Sequence, residues 1–205
     1  MESVDQPRTT SSRPYHHGDL RNAVIEAALS LLKERGVEGV TLRQCAARAG
    51  VSHGAPGHHF GDLKGVLTAI AALGFEGQVA HQEAALAGRT DPVERLAAIG
   101  GAYVGFAVTH PAHFSLMFRR DRLRTDDPAF VAASGRAGEI LLEETYRYIG
   151  DHPHARQFRD MVWSIVHGYA SLLISGQKKP PENPEAAAFQ MQLAFLRGFD
   201  PDTLG

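Results

Sequence analysis

Apolar residues recur at three- and four-residue spacing through most of this chain, and no segment alternates convincingly at period two. Leu20, Ala23, Val24, Ala27, Ala28, Leu31 and Leu32 form one such stripe, and Val66, Leu67, Ile70 and Leu73 open another. Pro92, Pro111, Pro128, Pro153 and the Lys178-Lys179-Pro180-Pro181 loop then divide the chain, because proline lacks an N–H and fits only a helix's first turn. The segments left between them are helical over about 92–109, 111–119, 127–149, 153–175 and 184–197. The spacing predicts an all-α fold without internal repeats.

The first quarter carries the most specific pattern. Asp19 is placed to cap a helix that stops at Gly36, after Lys33 and Arg35. Thr41 and Gln44 have capping-box spacing ahead of Leu42, Cys45, Ala46 and Ala49. Gly50-Val51-Ser52 is a connection of about three residues, and a short helix from Ser52 to about Phe60 follows. Two short helices joined by a Gly-containing turn describe a helix-turn-helix. Asp62 can cap the long helix after it, and residues 1–17, rich in Ser, Thr, Arg and Pro, read as a disordered arm.

Composition narrows the class. The 205 residues are 43% hydrophobic and 21% charged, with a formal net charge of −2, ordinary values for a soluble globular chain. The start of the chain lacks a signal-peptide pattern, and no apolar run approaches the roughly 18 residues of a membrane span. Cys45 is the single cysteine, so no intramolecular disulfide forms and the cytoplasm is the default location. An overall charge of −2 hides a local asymmetry: residues 39–61 hold Arg43, Arg48, His53, His58 and His59 with no Asp or Glu. Cys45, in line with Leu42 and Ala49, reads as a small buried filler.

Residues 19–67 resemble the tetracycline-repressor (TetR) family of transcription regulators. The string runs from Gly36 and Gly39 through Thr41-Leu42-Arg43, Ala46 and Ala49-Gly50-Val51-Ser52 to His59-Phe60. Tyr15 to Arg21 and Ser52-His53-Gly54-Ala55-Pro56 resemble one branch of the family, marked in its C-terminal domain by a Trp, His and Gly, here Trp163, His167 and Gly168. The resemblance implies a DNA-binding domain over 18–64, an effector-binding and dimerisation domain over 65–200, and a short tail over 201–205. It implies a homodimer acting on double-stranded, palindromic operator DNA, a repressor released by a small-molecule effector. Two positions depart from the family pattern: Gly57 stands where a tyrosine is usual and Leu63 where a lysine is usual, with Lys64 one place later.

The major groove is about 12 Å wide, so a helix entering it needs an exposed side free of acidic bulk. His53, Gly54, Gly57, His58 and His59 supply such a side, and Ser52, Thr41, Arg43 and Lys64 lie near helix starts that favour phosphate. Arg8 and Arg13 on the arm are in reach of an adjacent groove.

In the second half, 153–175 is apolar nearly all round, which requires cover on both sides. A partner subunit is one such cover, giving a two-fold helical interface with Trp163, Ala170, Ile174, Phe189, Leu193 and Leu196 as its candidates. Gly100, Gly101 and Gly105 interrupt an apolar helix and imply close approach or open space. Tyr103, Phe106, Phe114, Met117, Phe118, Trp163 and His167 are the candidates for an apolar effector pocket; packing as ordinary core is the other reading of these aromatics. Among the eleven histidines, His16 with His17, His110 with His113 and His152 with His154 are close pairs, yet no Cys or carboxylate cluster completes a zinc set, so no metal or cofactor is expected. No phosphate loop, nucleophile elbow or HExxH motif is present, and an enzyme is not expected. A helical small-molecule binder that has lost DNA recognition is the alternative, carried by Gly57 and Leu63.

Overall fold

The computed structural model describes residues 17–200 and residue 203, with side chains from residue 20 onward. Residues 1–16 of the expected 1–17 arm, with Arg8 and Arg13, and most of the 201–205 tail lie outside the described residues, and His17 already belongs to the first helix. Among the described residues there is no strand. The helices are α1 (His17–Arg35), α2 (Leu42–Arg48), α3 (Ala55–Phe60), α4 (Leu63–Leu86), α5 (Pro92–Thr109), α6 (Pro111–Met117), α7 (Pro128–Ile149), α8 (Ala155–Ile174) and α9 (Pro184–Gly198), with short 3-10 turns at Val37–Gly39 and Arg120–Arg122.

Four starts are fixed by an Asp or Asn that accepts a first-turn N–H. Asp62, Asp91, Asp127 and Asn183 do this for α4, α5, α7 and α9, and a proline follows the cap in the last three. Of the prolines that divide the sequence, Pro92, Pro111 and Pro128 are helix starts, whereas Pro153 lies in the turn before α8 and Pro180-Pro181 in the loop before α9. At α1 the expectation shifts: the helix opens at His17, so Asp19 lies inside it.

Helix α5 is the centre of the bundle, buried from Leu96 to Ala107 among α4, α7, α8 and α9. Its glycines answer to close approach. A Cβ on Gly100 would stand 2.9 Å from Gln192, and one on Gly101 would stand 2.9 Å from the Glu185 carbonyl oxygen. The α9 backbone thus lies on α5 at a distance that only glycine permits. Arg95 of α5 grips the buried Glu144 of α7 through bonds of 2.8 and 2.6 Å. One apolar cluster runs from Val24 and Phe60 through Val66 and Phe75 to Phe114 and Val166; a second, at the far end, joins Leu96, Ile140, Phe158 and Leu196.

This packing corrects half of the expected dimer seam. Ala170, Leu193 and Leu196 are buried within the subunit's own core, because α5 already covers that side of α8 and α9. Ile174 packs against the first cluster, and Phe189 lies beside Gly101 under the Arg89 guanidinium. Of the apolar side chains left outward, Trp163 and Leu172 on α8 are exposed and Met161, Ile165 and, on α9, Met191 are half-buried, interleaved with exposed Ser164, Gly168, Gln190 and Ala194.

Candidate nucleic-acid interface and effector cavity

The turn between α2 and α3 is held by its own backbone. Gly50 adopts φ +68°, a conformation that favours glycine, and lets the Val51 N–H donate to the Ala46 carbonyl at 3.1 Å. At the start of α2 the Thr41 hydroxyl accepts from the Gln44 N–H while the Gln44 side chain accepts from the Thr41 N–H, the capping box expected from the spacing. The Thr41 hydroxyl is therefore committed to the cap. Buried Pro56 and Phe60 seat α3 against the domain, and Arg21 of α1 lies over the Phe60 ring at 5.6 Å.

Helix α3 is shorter than its sequence implies. It begins at Ala55 with Gly54 as its N-cap, so Ser52 and His53 stand in the preceding turn and the Ser52 carbonyl accepts from the Ala55 N–H. Ser52, His53, Gly54, His58, His59, Arg43 and Lys64 are all exposed, and Gly57 is half-exposed with open space where a Cβ would stand. Arg48 is withdrawn from this surface. Its guanidinium bonds the Glu34 carboxylate and the Ser30 hydroxyl, and that pairing holds Glu34 below the usual carboxylate range. Leu63 packs against the core, whereas neighbouring Lys64 points to solvent.

A cavity of about 350 Å³ lies behind this unit. Of the expected pocket residues Tyr103, Met117, Phe118 and Trp163 line it, and Phe106, Phe114 and His167 do not. Phe106 faces the opposite side of α5, stacked on His110 with ring centroids 4.8 Å apart. Phe114 stands edge-on to Tyr103, and His167 stands behind the same tyrosine. The remaining wall comes from α4 and α7, with Phe75, Gln78 and Gln82 on one side and Phe130, Ser134, Ala137 and Leu141 on the other. Gln78 and Gln82, polar residues on a buried apolar face, are the one signal in the sequence that marks this wall.

Burial keeps the Tyr103 phenol protonated well above its usual range and pushes His167 below the usual histidine value. The Tyr103 hydroxyl accepts the Trp163 indole N–H at 3.3 Å and shares a second hydrogen bond, of 2.6 Å, with His167 Nδ1. His167 acts through Tyr103 to hold the Trp163 side of the cavity.

The loop after α6 joins cavity and DNA-binding unit. Arg120 lines the cavity. On either side of it, Arg119 donates to Glu38 at 2.8 Å, Arg122 also pairs with Glu38, and Arg124 pairs with Asp62 at 2.9 Å. The Arg124 N–H completes the strap by donating to Thr68 of α4 at 2.9 Å. Among the described residues no group of three His, Cys, Asp or Glu side chains is placed to hold a metal ion, and no helix is long and apolar enough to cross a membrane.

Comparison with known families decides what this arrangement is. Residues 24–70 match the family described as bacterial regulatory proteins, tetR family, and residues 96–196 match a tetracyclin repressor-like C-terminal domain. The chain belongs to the TetR family. Rv0681 of Mycobacterium tuberculosis, an uncharacterised HTH-type transcriptional regulator, is 26% identical over 156 residues, which cover 76% of this TetR-family chain and 71% of that protein. A solved protein of unknown function from Rhodococcus sp. RHA1 is 31% identical, with a TM-score of 0.76 over 92% of this chain and 99% of that one. The TetR-family regulator PfmR of Thermus thermophilus is 25% identical, with a TM-score of 0.69 over 88% of this chain and 97% of that one. The helix-turn-helix is thus the DNA-binding part of a TetR-family transcriptional regulator.

Proposed function

We propose that this TetR-family chain is a cytoplasmic, homodimeric repressor, without enzymatic activity, that a small molecule releases from a roughly palindromic operator. The observation that carries the reading is the strap. Arg120 touches the cavity, and the arginines around it hold Glu38 and Asp62, which flank the helix-turn-helix. A molecule in the cavity presses on Arg120 from one side and on α4, through Phe75, Gln78 and Gln82, from the other. Both routes end at the DNA-binding unit. An effector shifts the equilibrium only by preferring one arrangement, with a coupling of roughly 1–3 kcal/mol.

On this reading Ser52, His53, Gly54, His58 and His59 face the major groove, while Arg43 and Lys64 position the backbone and Thr41 holds the start of α2. The exposed α8 and α9 side chains form the two-fold seam. A small-molecule binder without sequence-specific DNA recognition is the second reading, favoured by Gly57, which removes the side chain usual there, and by Leu63, which is turned into the core. Mobility shift with a duplex from upstream of the chain's own coding sequence separates the two. The proposal requires a discrete, competitor-resistant complex; equal displacement by unrelated DNA supports the second reading.

A further inference from the structure

The cavity combines apolar walls with acceptors that lack donors. Gln78 and Gln82, one turn apart on α4, are both buried, and neither Oε1 atom has a hydrogen-bond partner. A second void of about 20 Å³ lies beyond them, sharing Gln82, Tyr103, Leu141 and Trp163 with the larger cavity and reaching Gln192 of α9. Gln192 Oε1 is also unpartnered, and there the amide's orientation is fixed because its Nε2 donates to the Val162 carbonyl at 3.1 Å. Buried carbonyl oxygens are rarely left unpaired, since each has given up its water.

The other polar groups of the inner wall are bonded to one another or to backbone. The Trp163 N–H goes to Tyr103, the Tyr103 hydroxyl is bonded to His167 Nδ1, and the Ser134 hydroxyl donates to the Phe130 carbonyl at 2.7 Å. At the rim stand Arg120 and Arg159, the latter paired with Asp160 at 2.6 Å. Arg120 disfavours a cationic guest by like-charge repulsion. What the inner end lacks is a neutral donor on an apolar body, and the Phe75, Phe118, Phe130 and Trp163 side chains suit a ring.

We infer that the cavity selects a ring-bearing molecule without positive charge that inserts a hydroxyl or N–H donor between Gln78 and Gln82. The inference rests on reading this cavity as the effector site. It follows from the asymmetry of hydrogen bonding: a site with buried unpaired acceptors rejects an analogue without the donor far more strongly than it rejects a small change in apolar size.

The test uses two molecules that differ only in that donor, para-phenylphenol and para-methoxybiphenyl. Trp163, the chain's single tryptophan, lines the cavity and reports binding directly in the full-length protein without DNA. The phenol should quench Trp163 saturably and bind at least about tenfold tighter than the ether. Gln78→Met and Gln82→Met replace the amide by an apolar chain of equal length, and each should bring the two affinities to within about twofold. Circular dichroism establishes that each variant is folded; should one fail, the other carries the comparison. Equal affinities in the wild type, no saturable quenching by either molecule, or an unchanged gap in both folded variants overturns the inference. If the phenol preference holds but no loss of DNA affinity accompanies it, the donor-selective cavity stands and the effector reading falls.

Discussion

Arg124 pairs with Asp62 at 2.9 Å, so the loop that closes the cavity is tied to the residue that caps the long helix leaving the DNA-binding unit. Asp62 holds two partners at once. The Gly65 N–H and, after it, the Arg124 guanidinium keep its carboxyl below the usual carboxylate range. Both side chains are exposed, so the pair is worth only about 0–1 kcal/mol to folding. Its role is geometric. Arg124→Ala should leave the melting temperature within about 2 °C of wild type, yet change operator affinity at least about fivefold by freeing the helix-turn-helix from its strap. Calorimetry and DNA titration on the same preparation check this, and an unchanged affinity removes the strap from the mechanism.

The α8 and α9 surfaces make a second prediction. Leu172→Asp adds a charge to the exposed seam and should convert a dimer of 22.2 kDa chains into a folded monomer. Leu193→Ala removes a side chain buried inside the subunit and should instead cost about 2–4 kcal/mol of stability while leaving association in place. Sedimentation at low micromolar concentration, with thermal melts alongside, distinguishes the two classes.

How far the sequence reveals this architecture follows from the residues that carry it. Helix boundaries are legible wherever a proline sits next to a cap, as at Asp91-Pro92, Asp127-Pro128 and Asn183-Pro184, because first-turn chemistry is local. The sequence extends α3 too far because Ser52 has the chemistry of a cap, while the backbone turns once more before Ala55. Periodicity identifies which residues of α8 and α9 are apolar. It cannot say whether α5 or a partner covers them, and the Gly100–Gly101 approach to α9 decides that for Leu193 and Leu196. For the same reason the expected pocket includes Phe114 and His167, which support Tyr103 from behind, and omits Gln78 and Gln82, which face the cavity.

Stability should also fall with acidity through two histidines. Burial lowers the affinity of His113 and His167 for a proton, aided at His113 by His110 and Lys33, whereas in the unfolded chain both titrate near the ordinary value of 6.5. The unfolded state therefore takes up protons first, so the stability these groups contribute is present above that value and is lost as the pH falls below it. The melting temperature should drop between about pH 8 and about pH 5, and His167→Gln should flatten part of the drop. An identical slope in the variant contradicts the assignment for His167.

Gly57 bears on how tightly, rather than how selectively, the protein holds DNA. A Cβ there meets nothing within 4 Å, so a side chain at Gly57 can leave the backbone without displacing a neighbour. Gly57→Tyr should strengthen α3 by several tenths of a kcal/mol, up to about 1, and place a hydroxyl near the phosphate backbone. Affinity should rise to a similar degree for operator and unrelated DNA. Binding abolished on both would mean that the backbone itself approaches DNA at Gly57.

The most direct test of the account is a pair of titrations at one fixed salt concentration. A fluorescent duplex carrying the upstream operator and a scrambled duplex of equal length are each titrated with wild type and with His58→Ala. His58 is exposed on α3 and lies outside the core, so the variant stays folded. If α3 reads bases, wild type prefers the operator, and His58→Ala loses about 1–3 kcal/mol on the operator with little change on the scrambled duplex. Equal wild-type affinity for the two duplexes, or an equal loss on both in the variant, would contradict the assignment of α3 as the element that reads DNA.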